Sequence, residues 1–348
     1  MEESSNHINR RATGCAKCHN PKYERGYKVR LCKNCRRELS RYPITREVIW
    51  GALGVSVILL LALFRLPTYF KAGVDYMKGV QFAKERRYTS AEKIFTATLQ
   101  KYPEHTSSVV HLITAAYFND DLSRADSLLA VLTDKAKNLD DTDLIEELSV
   151  ITDNSQYYNI QDHTIDSLLN TLVTDTPACR KLLEDYLLKA PHDLAAAAKL
   201  ASVYLDINNY KGVDSLCRKA IHDAPLFRPP YYIMLASLKE QKKYKEGLDL
   251  SQQLLVQNKE SLSALVIFTT FQLKLKKDKE ALISARQAFD LAPDTPEALT
   301  TLSLACHFNH QQEESNRILA KLKNMPAKDS SQLEELQNII TDKTPYRD

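Results

Sequence analysis

This 348-residue sequence predicts an all-α fold: a superhelical solenoid of antiparallel helix pairs, preceded by a small cysteine-bearing segment and one transmembrane helix. Three observations carry the prediction. Residue types in the second half of the chain recur with a period of 34, the signature of a stacked supersecondary unit. Glycine is scarce: there are eight in all, and after Gly79 only Gly212 and Gly247 remain. Phosphate loops and dinucleotide fingerprints need clustered glycines, so the body is nearly excluded from those classes, while its Leu, Ala, Lys and Glu favour helix. The run Val48–Phe64, seventeen residues, holds no charge and no proline.

Taken in order, residues 1–12 are polar, without apolar periodicity, and read as a disordered tail. Residues 13–40 contain two C-x2-C knuckles, Cys15/Cys18 and Cys32/Cys35, with thirteen residues between them. Four thiolates at that spacing can surround one Zn²⁺, and Cys15, Cys18, Cys32 and Cys35 are the expected ligands. The stretch between has turn residues Asn20-Pro21 and Gly26 and a strand-like Tyr27–Leu31. It resembles a zinc ribbon; the resemblance rests on cysteine spacing and implies no specific activity. Two disulfides, or a redox CxxC pair, are the alternatives, the latter without a thioredoxin-like context. With four protein ligands and no open position, the Zn²⁺ is expected to be structural, stabilising a segment with almost no apolar core.

Charge is unevenly placed. Residues 1–47 carry twelve Lys/Arg against five Asp/Glu, net +7, whereas residues 72–348 are −6 within a chain of net +3. Arg25, Lys28, Arg30, Lys33, Arg36, Arg37, Arg41 and Arg46 lie in or just after the cysteine segment. A juxtamembrane segment attracted to anionic lipid is favoured over nucleic-acid contact, since no base-stacking aromatic set or recognition helix is visible.

The apolar run predicts a transmembrane helix over 48–66, with Arg46 and Arg65 snorkelling and Trp50, Tyr69 and Phe70 at headgroup level. A buried core helix is the alternative. A signal peptide is disfavoured by the late start and by Arg65-Leu66-Pro67, which is no small-residue cleavage site. Five Lys/Arg precede the run within residues 33–47 and three follow within 65–79. That bias, with the preference of thiolates for a reducing compartment, places the N-terminus in the cytoplasm and the body outside. The alternative orientation keeps the body cytoplasmic.

In the body, contiguous windows start at Leu194, Arg228, Leu262 and Pro296. One period earlier lies 160–193, and two further windows, 72–105 and 106–139, follow the apolar run. Gly79, Phe82, Ala91, Phe95 and Pro103 in the first window, Ala201, Tyr204, Ala220 and Pro225 in the fourth, and Ala281, Ala288 and Pro293 in the sixth share columns. This column pattern resembles the tetratricopeptide repeat, with repeats 1–2 at 72–139 and repeats 3–7 at 160–327. Thr269, Gln272 and Ile113 depart from it, and Lys259 stands in the proline column. The pattern places Cys179, Cys217 and Cys306 at core positions, where a buried small hydrophobe is the favoured reading. Residues 140–159 break the register and read as an extra acidic helix over Asp143–Ile151 and a loop, an irregular insertion that bends the array. Residues 328–342, with Ser331 and Glu334 as a capping box, read as a terminal capping helix. In a nearest-neighbour array, damage to the 262–295 repeat should fade toward 72–139.

No HExxH, G-x-S-x-G or Walker loop is present, and the chain is expected not to be an enzyme. His307 and His310 at i, i+3 lack a third ligand. The resemblance implies protein or peptide binding on the face lined by the first helix of each pair. It maps Tyr76, Tyr117, Phe118, Tyr232, Lys239, Lys274, His307 and Phe308 to that face; ordinary surface residues are an equal reading. Position 9 of each repeat has no Asn, against a carboxylate clamp. The expected function is a membrane-anchored, non-enzymatic interaction scaffold. The alternative is a transmembrane regulator whose head contacts nucleic acid or a cytoplasmic protein. No small-molecule substrate is implied.

Overall fold

The computed structural model describes residues 14–40, 46–135, 141–172, 175–325 and 330–347. The tail 1–12, Arg41, and the side chains of Arg65 and Tyr69 lie outside the described residues. The chain divides into two compact units, 1–70 and 71–348.

In the first unit a turn at Cys15–His19 is closed by the Cys15 amide donating to Asn20 O at 2.9 Å and the His19 amide donating to Cys15 O at 2.9 Å. Helix α1 (Lys33–Ser40) follows the second knuckle. The strand expected at Tyr27–Leu31 is not formed. Its backbone makes only isolated cross-links, Ala16 N to Arg30 O at 2.8 Å and Glu24 N to Leu31 O at 3.0 Å, too few for a ladder. Helix α2 (Arg46–Lys84) follows. Its Arg46–Leu63 stretch has mean hydropathy 1.9 and none of it is buried, so by length and composition it is able to cross a membrane.

The second unit is a series of helix pairs. From Lys71 onward α2 pairs with α3 (Tyr88–Lys101), and α4 (Thr106–Phe118) with α5 (Leu122–Lys135). The insertion forms α6 (Thr142–Ser155) and a short 3-10 turn at Gln156–Tyr158. Then come α7 (His163–Thr171) with α8 (Thr176–Lys189), α9 (Leu194–Asp206) with α10 (Tyr210–Asp223), and α11 (Pro229–Glu240) with α12 (Tyr244–Gln257). The last pairs are α13 (Leu262–Lys274) with α14 (Asp278–Leu291) and α15 (Pro296–Phe308) with α16 (Gln312–Lys323), followed by α17 (Ser330–Ile340). α17 buries Leu336, Ile339 and Ile340 in the core of the last pairs. Among the described residues there is no strand.

The starts and stops of these helices have local causes. Side chains of Asp175, Asp193, Asn209 and Ser261 accept from the third amide of α8, α9, α10 and α13, satisfying a donor that the helix cannot. Between the helices of a pair one residue turns left-handed: Arg86, Asp120, Asn208, Lys242, Lys276 and His310, with φ of 56–65°. The spacing is 34 from Arg86 to Asp120 and again from Asn208 through Lys242 and Lys276 to His310; the interval between Asp120 and Asn208 holds the insertion and the α7–α8 pair. The next amide then reaches back five residues, as in Asn209 to Tyr204 O, Lys243 to Leu238 O, Lys277 to Gln272 O and Gln311 to Cys306 O, at 2.8–2.9 Å. This is the reverse turn that closes a helix C-terminus, repeated in register without a glycine at any of the six positions.

Small residues set how closely the pairs stack. A Cβ at Gly247 would lie 2.3 Å from the Phe271 ring, and one at Gly212 would lie 2.3 Å from Tyr204. Ala201, Ala281, Ala285 and Ala305 have no exposed surface. Burial pushes the Cys217 and Cys306 thiols up to about 12, so both behave as small hydrophobes.

A linear array would keep repeats 1–2 far from repeat 5. Instead their turns dock beside it. The Arg86 carbonyl accepts from the Lys259 amide at 2.9 Å, and the Arg86 guanidinium donates to Val256 O at 2.8 Å. The Glu260 carboxylate, 7% exposed, accepts from the Ser90 amide at 2.7 Å, Ser90 Oγ at 2.9 Å and Arg87 Nε at 2.8 Å. It caps α3 from another part of the chain. One period away, Asp120 binds Arg228 Nε at 2.6 Å and the Tyr232 hydroxyl at 2.7 Å, and Tyr117 Oη donates to Leu226 O at 3.1 Å. Asn258 Nδ2 donates to Phe118 O at 2.8 Å. Two successive turns of repeats 1–2 thus meet the two connections that flank repeat 5, and the expected fading of damage from 262–295 toward 72–139 is corrected accordingly.

Candidate functional site

The cysteine cluster is built by two knuckles whose backbone amides point at sulfur. Cys15, Cys32 and Cys35 are buried with Leu31, and Cys18 is exposed. All four Sγ atoms lie within 4.8 Å of one another, with Cys18 and Cys32 Sγ at 3.6 Å. Tetrahedral Zn–S bonds of about 2.3 Å require sulfurs about 3.8 Å apart, so the set fits one Zn²⁺ with small adjustment. The Cys35 amide donates to Cys32 Sγ at 3.4 Å. Amide donors, chiefly that of Cys18, hold the Cys15 thiol down to about 6, and the Cys35 amide lowers Cys32. Cys35 is pushed up to about 12 because its proton is shared with the sulfurs of Cys18 and Cys32. Backbone donors thus favour the thiolates that a metal needs. Among the described residues this is the one cluster of three or more His, Cys, Asp or Glu with ligand atoms this close.

The eight residues mapped to the binding face fall into four groups. Tyr76 packs edge-on against Phe95 at 6.0 Å and His105 at 5.0 Å. Tyr117, Phe118 and Tyr232 belong to the docking of repeats 1–2: Phe118 stacks on Tyr88 at 4.4 Å, and Arg228 lies over the Tyr117 and Phe118 rings at 5.1 and 5.7 Å. Burial raises the Tyr117 and Tyr232 hydroxyls above the ordinary 10. Lys274, His307 and Phe308 face the segment after α17. Lys274 Nζ lies 4.0 Å from the Tyr346 ring, Phe308 lies 5.5 Å from it, and His307 Nε2 is 3.6 Å from Asp342. Lys239 remains exposed, beside Glu240 at 3.7 Å.

The first-helix face is therefore covered at three places, one of them the start of α11, where Asp120 docks on Tyr232. On repeats 1–2, α6 lies across Val80, His111 and Thr114, leaving a cavity of about 320 Å³ and a contact from His111 Nδ1 to the Glu147 carboxylate at 2.9 Å. On repeats 6–7 the segment 342–347 covers it. Ser202 in α9 and Lys239 in α11 are exposed between them.

Sequence columns alone missed Arg228, Asn258, Glu260 and Tyr346. A signal was there. Position 258 is Ala in the neighbouring repeats (Ala190, Ala224, Ala292), and 259 is Pro (Pro191, Pro225, Pro293). Asn258 is needed for its side-chain donor, and residue 259 must keep an amide hydrogen, which proline lacks.

No protein-family model and no curated protein matches the chain. Solved structures similar to it include TPR proteins. TTC0263, a thermophilic TPR protein of Thermus thermophilus, is 16% identical over 50% of this chain and 95% of its own, TM-score 0.42. A tetratricopeptide repeat protein from Parabacteroides merdae ATCC 43184 is 15% identical over 78% of this chain and 98% of its own, TM-score 0.40. YrrB, a TPR protein with an unusual peptide-binding site, is 17% identical over 49% of this chain and 88% of its own, TM-score 0.38.

Proposed function

We propose that this chain is a membrane-anchored interaction scaffold of tetratricopeptide-repeat type, which presents the open first-helix face of its middle repeats to a protein partner. The carrying observation is the in-register array itself. Helix starts at 194, 262 and 296 and left-handed turns at 208, 242, 276 and 310 keep the 34-residue period in space. Stacked pairs bury one continuous core and leave an extended surface, which suits a macromolecular partner better than a small substrate.

The apolar, unburied Arg46–Leu63 stretch supports the anchor. Exposed side chains such as Trp50 at 71% and Ile58 at 67% would be costly in water and comfortable in lipid. Zn²⁺ held by Cys15, Cys18, Cys32 and Cys35 would serve the head as a structural cross-link. With four protein ligands it would offer no open position for chemistry. The orientation, head in the cytoplasm and body outside, rests on the charge bias and on the thiolates.

Reversible crosslinking of the full chain in its own membrane, followed by recovery, tests the scaffold. A discrete protein partner lost on deletion of 194–257 is expected; recovery unchanged by that deletion would defeat it. Impermeant labelling should reach an engineered cysteine after residue 348 and not one before residue 10. The reverse pattern would invert the orientation.

A further inference from the structure

The segment after α17 sits on repeats 6 and 7 in a way that specifies a ligand. Asp342 turns left-handed, φ 57°, and the Lys343 amide closes on Asn338 O at 2.8 Å, which reverses the chain. The next four residues, Thr344-Pro345-Tyr346-Arg347, carry no helix and run back over the first-helix face. Tyr346 places its ring 4.0 Å from the Lys274 ammonium and 5.5 Å from the Phe308 ring, and its carbonyl accepts from Lys274 Nζ. Arg347 lays its guanidinium 3.8 Å over Phe308. It also pairs with both oxygens of Asp278, Nη1 to Oδ2 at 3.2 Å and Nη2 to Oδ1.

Each receptor residue has a chemical preference. A planar cation stacked on a ring and forked onto a carboxylate is arginine chemistry, which lysine cannot copy. An ammonium against a ring face selects an aromatic. Lys274, Asp278 and Phe308 come from two successive repeats, so the pair is read across the stack, at positions that a bound segment of another protein would also meet. The occupant is short, irregular and held by Tyr346 and Arg347, so nothing in the core has to move for it to leave.

We infer that the face formed by Lys274, Asp278 and Phe308 is a peptide-binding site for an extended segment carrying an aromatic residue followed by arginine, kept closed in the resting chain by its own Tyr346-Arg347. The inference deepens the scaffold reading and rests on it. A tethered occupant competes at an effective concentration of about millimolar, so a partner segment must bind more tightly or the tether must be withdrawn.

The test uses the full chain in detergent and a fluorescent, C-terminally amidated peptide, Lys-Thr-Pro-Tyr-Arg. The double variant Tyr346→Ala, Arg347→Ala opens the site without shortening the chain. It should bind the peptide at least tenfold more tightly than the unaltered chain does. Adding Asp278→Asn should abolish the gain, and a peptide with Lys in place of Arg should bind at least fivefold more weakly. Equal binding by opened and unaltered chains, or no effect of Asp278→Asn, would overturn the proposal. Concentration-dependent dimers that vanish in the double variant would overturn closure in cis and make a second copy the occupant. Partner crosslinking at the middle repeats reads the scaffold separately. If it persists while peptide binding fails, this inference alone falls.

Discussion

Restoring proline at position 259 isolates what the docking of repeats 1–2 contributes. The preceding residue and the exposure suit proline: Asn258 is extended, φ −142° and ψ 106°, and the Lys259 side chain is exposed. By restricting the unfolded chain alone, Lys259→Pro would stabilise by about 0.4–1 kcal/mol. The amide, however, points at Arg86 O from 2.9 Å. A ring carbon about 1.5 Å along that direction would leave about 1.4 Å to the oxygen, where contact needs about 3.3 Å. The turn must retreat by roughly 2 Å, which also breaks the Arg86–Val256 and Thr89–Glu260 bonds of 2.8 and 2.9 Å. Three bonds at a net of about 1 kcal/mol each, less the unfolded-state gain, leave a loss of about 2 kcal/mol. Lys259→Ala keeps the amide and should stay within about 0.5 kcal/mol of the parent. Denaturant titration of the full chain in detergent gives the energies, and hydrogen exchange at the Ser90 amide shows where the change falls. If Lys259→Pro is as stable as Lys259→Ala, with Ser90 equally protected, the docking argument is refuted.

Other consequences follow from the same geometry. Ala281 has no exposed surface, so Ala281→Leu should overpack its column and cost about 1–3 kcal/mol, whereas exposed Glu280→Gln should cost under about half a kcal/mol; equal losses would mean the helix phase is wrong. Through Glu260 the damage should reach Ser90 before it reaches 176–189, as residue-resolved exchange would show. Chelation should remove one Zn²⁺ per chain and abolish amide protection in 14–40, since thiolate ligation stands in for a core there; protection unchanged by chelation would rule out a structural metal. The Tyr346 hydroxyl is pushed up from 10 to about 12 by burial, so its docking is complete below pH 10 and is lost as pH rises through about 12. A spin label beyond residue 348 should gain mobility across that window, and Tyr346→Phe should weaken the dependence, leaving only the part that the Lys274 ammonium carries; a profile identical to that of the parent would contradict it.

The legible part of this fold was whatever repeats. A 34-residue recurrence of Gly79, Ala201, Ala281 and Pro225 reports helix packing that is local in sequence, and it fixes pairs and cores. The left-handed turns were hidden because Arg86, Asp120, Asn208, Lys242, Lys276 and His310 share a backbone conformation while five residue types fill the six positions. The docking of repeats 1–2 was hidden for the opposite reason. It is written in residues that break the pattern, Arg228, Asn258, Lys259 and Glu260, and a departure acquires meaning only once its distant partner is known. Four cysteines at knuckle spacing announced their cluster, because metal chemistry is set by a few atoms. The face mapped from the first helices was read without its covers: α6 lies 36 residues from His111 through Glu147, and Tyr346 lies 72 from Lys274. No periodicity connects such pairs.

The scaffold reading turns on the middle repeats, where Ser202 and Lys239 stand exposed between the covered ends. A photo-crosslinking side chain placed at Ser202 or Lys239 of the full chain, in its own membrane, tests it most directly, with Ile283 on α14, 61% exposed, as the reference position. Discrete protein adducts are expected from residues 202 and 239 and none from 283. Adducts of equal yield from all three positions, or from 283 alone, would contradict it.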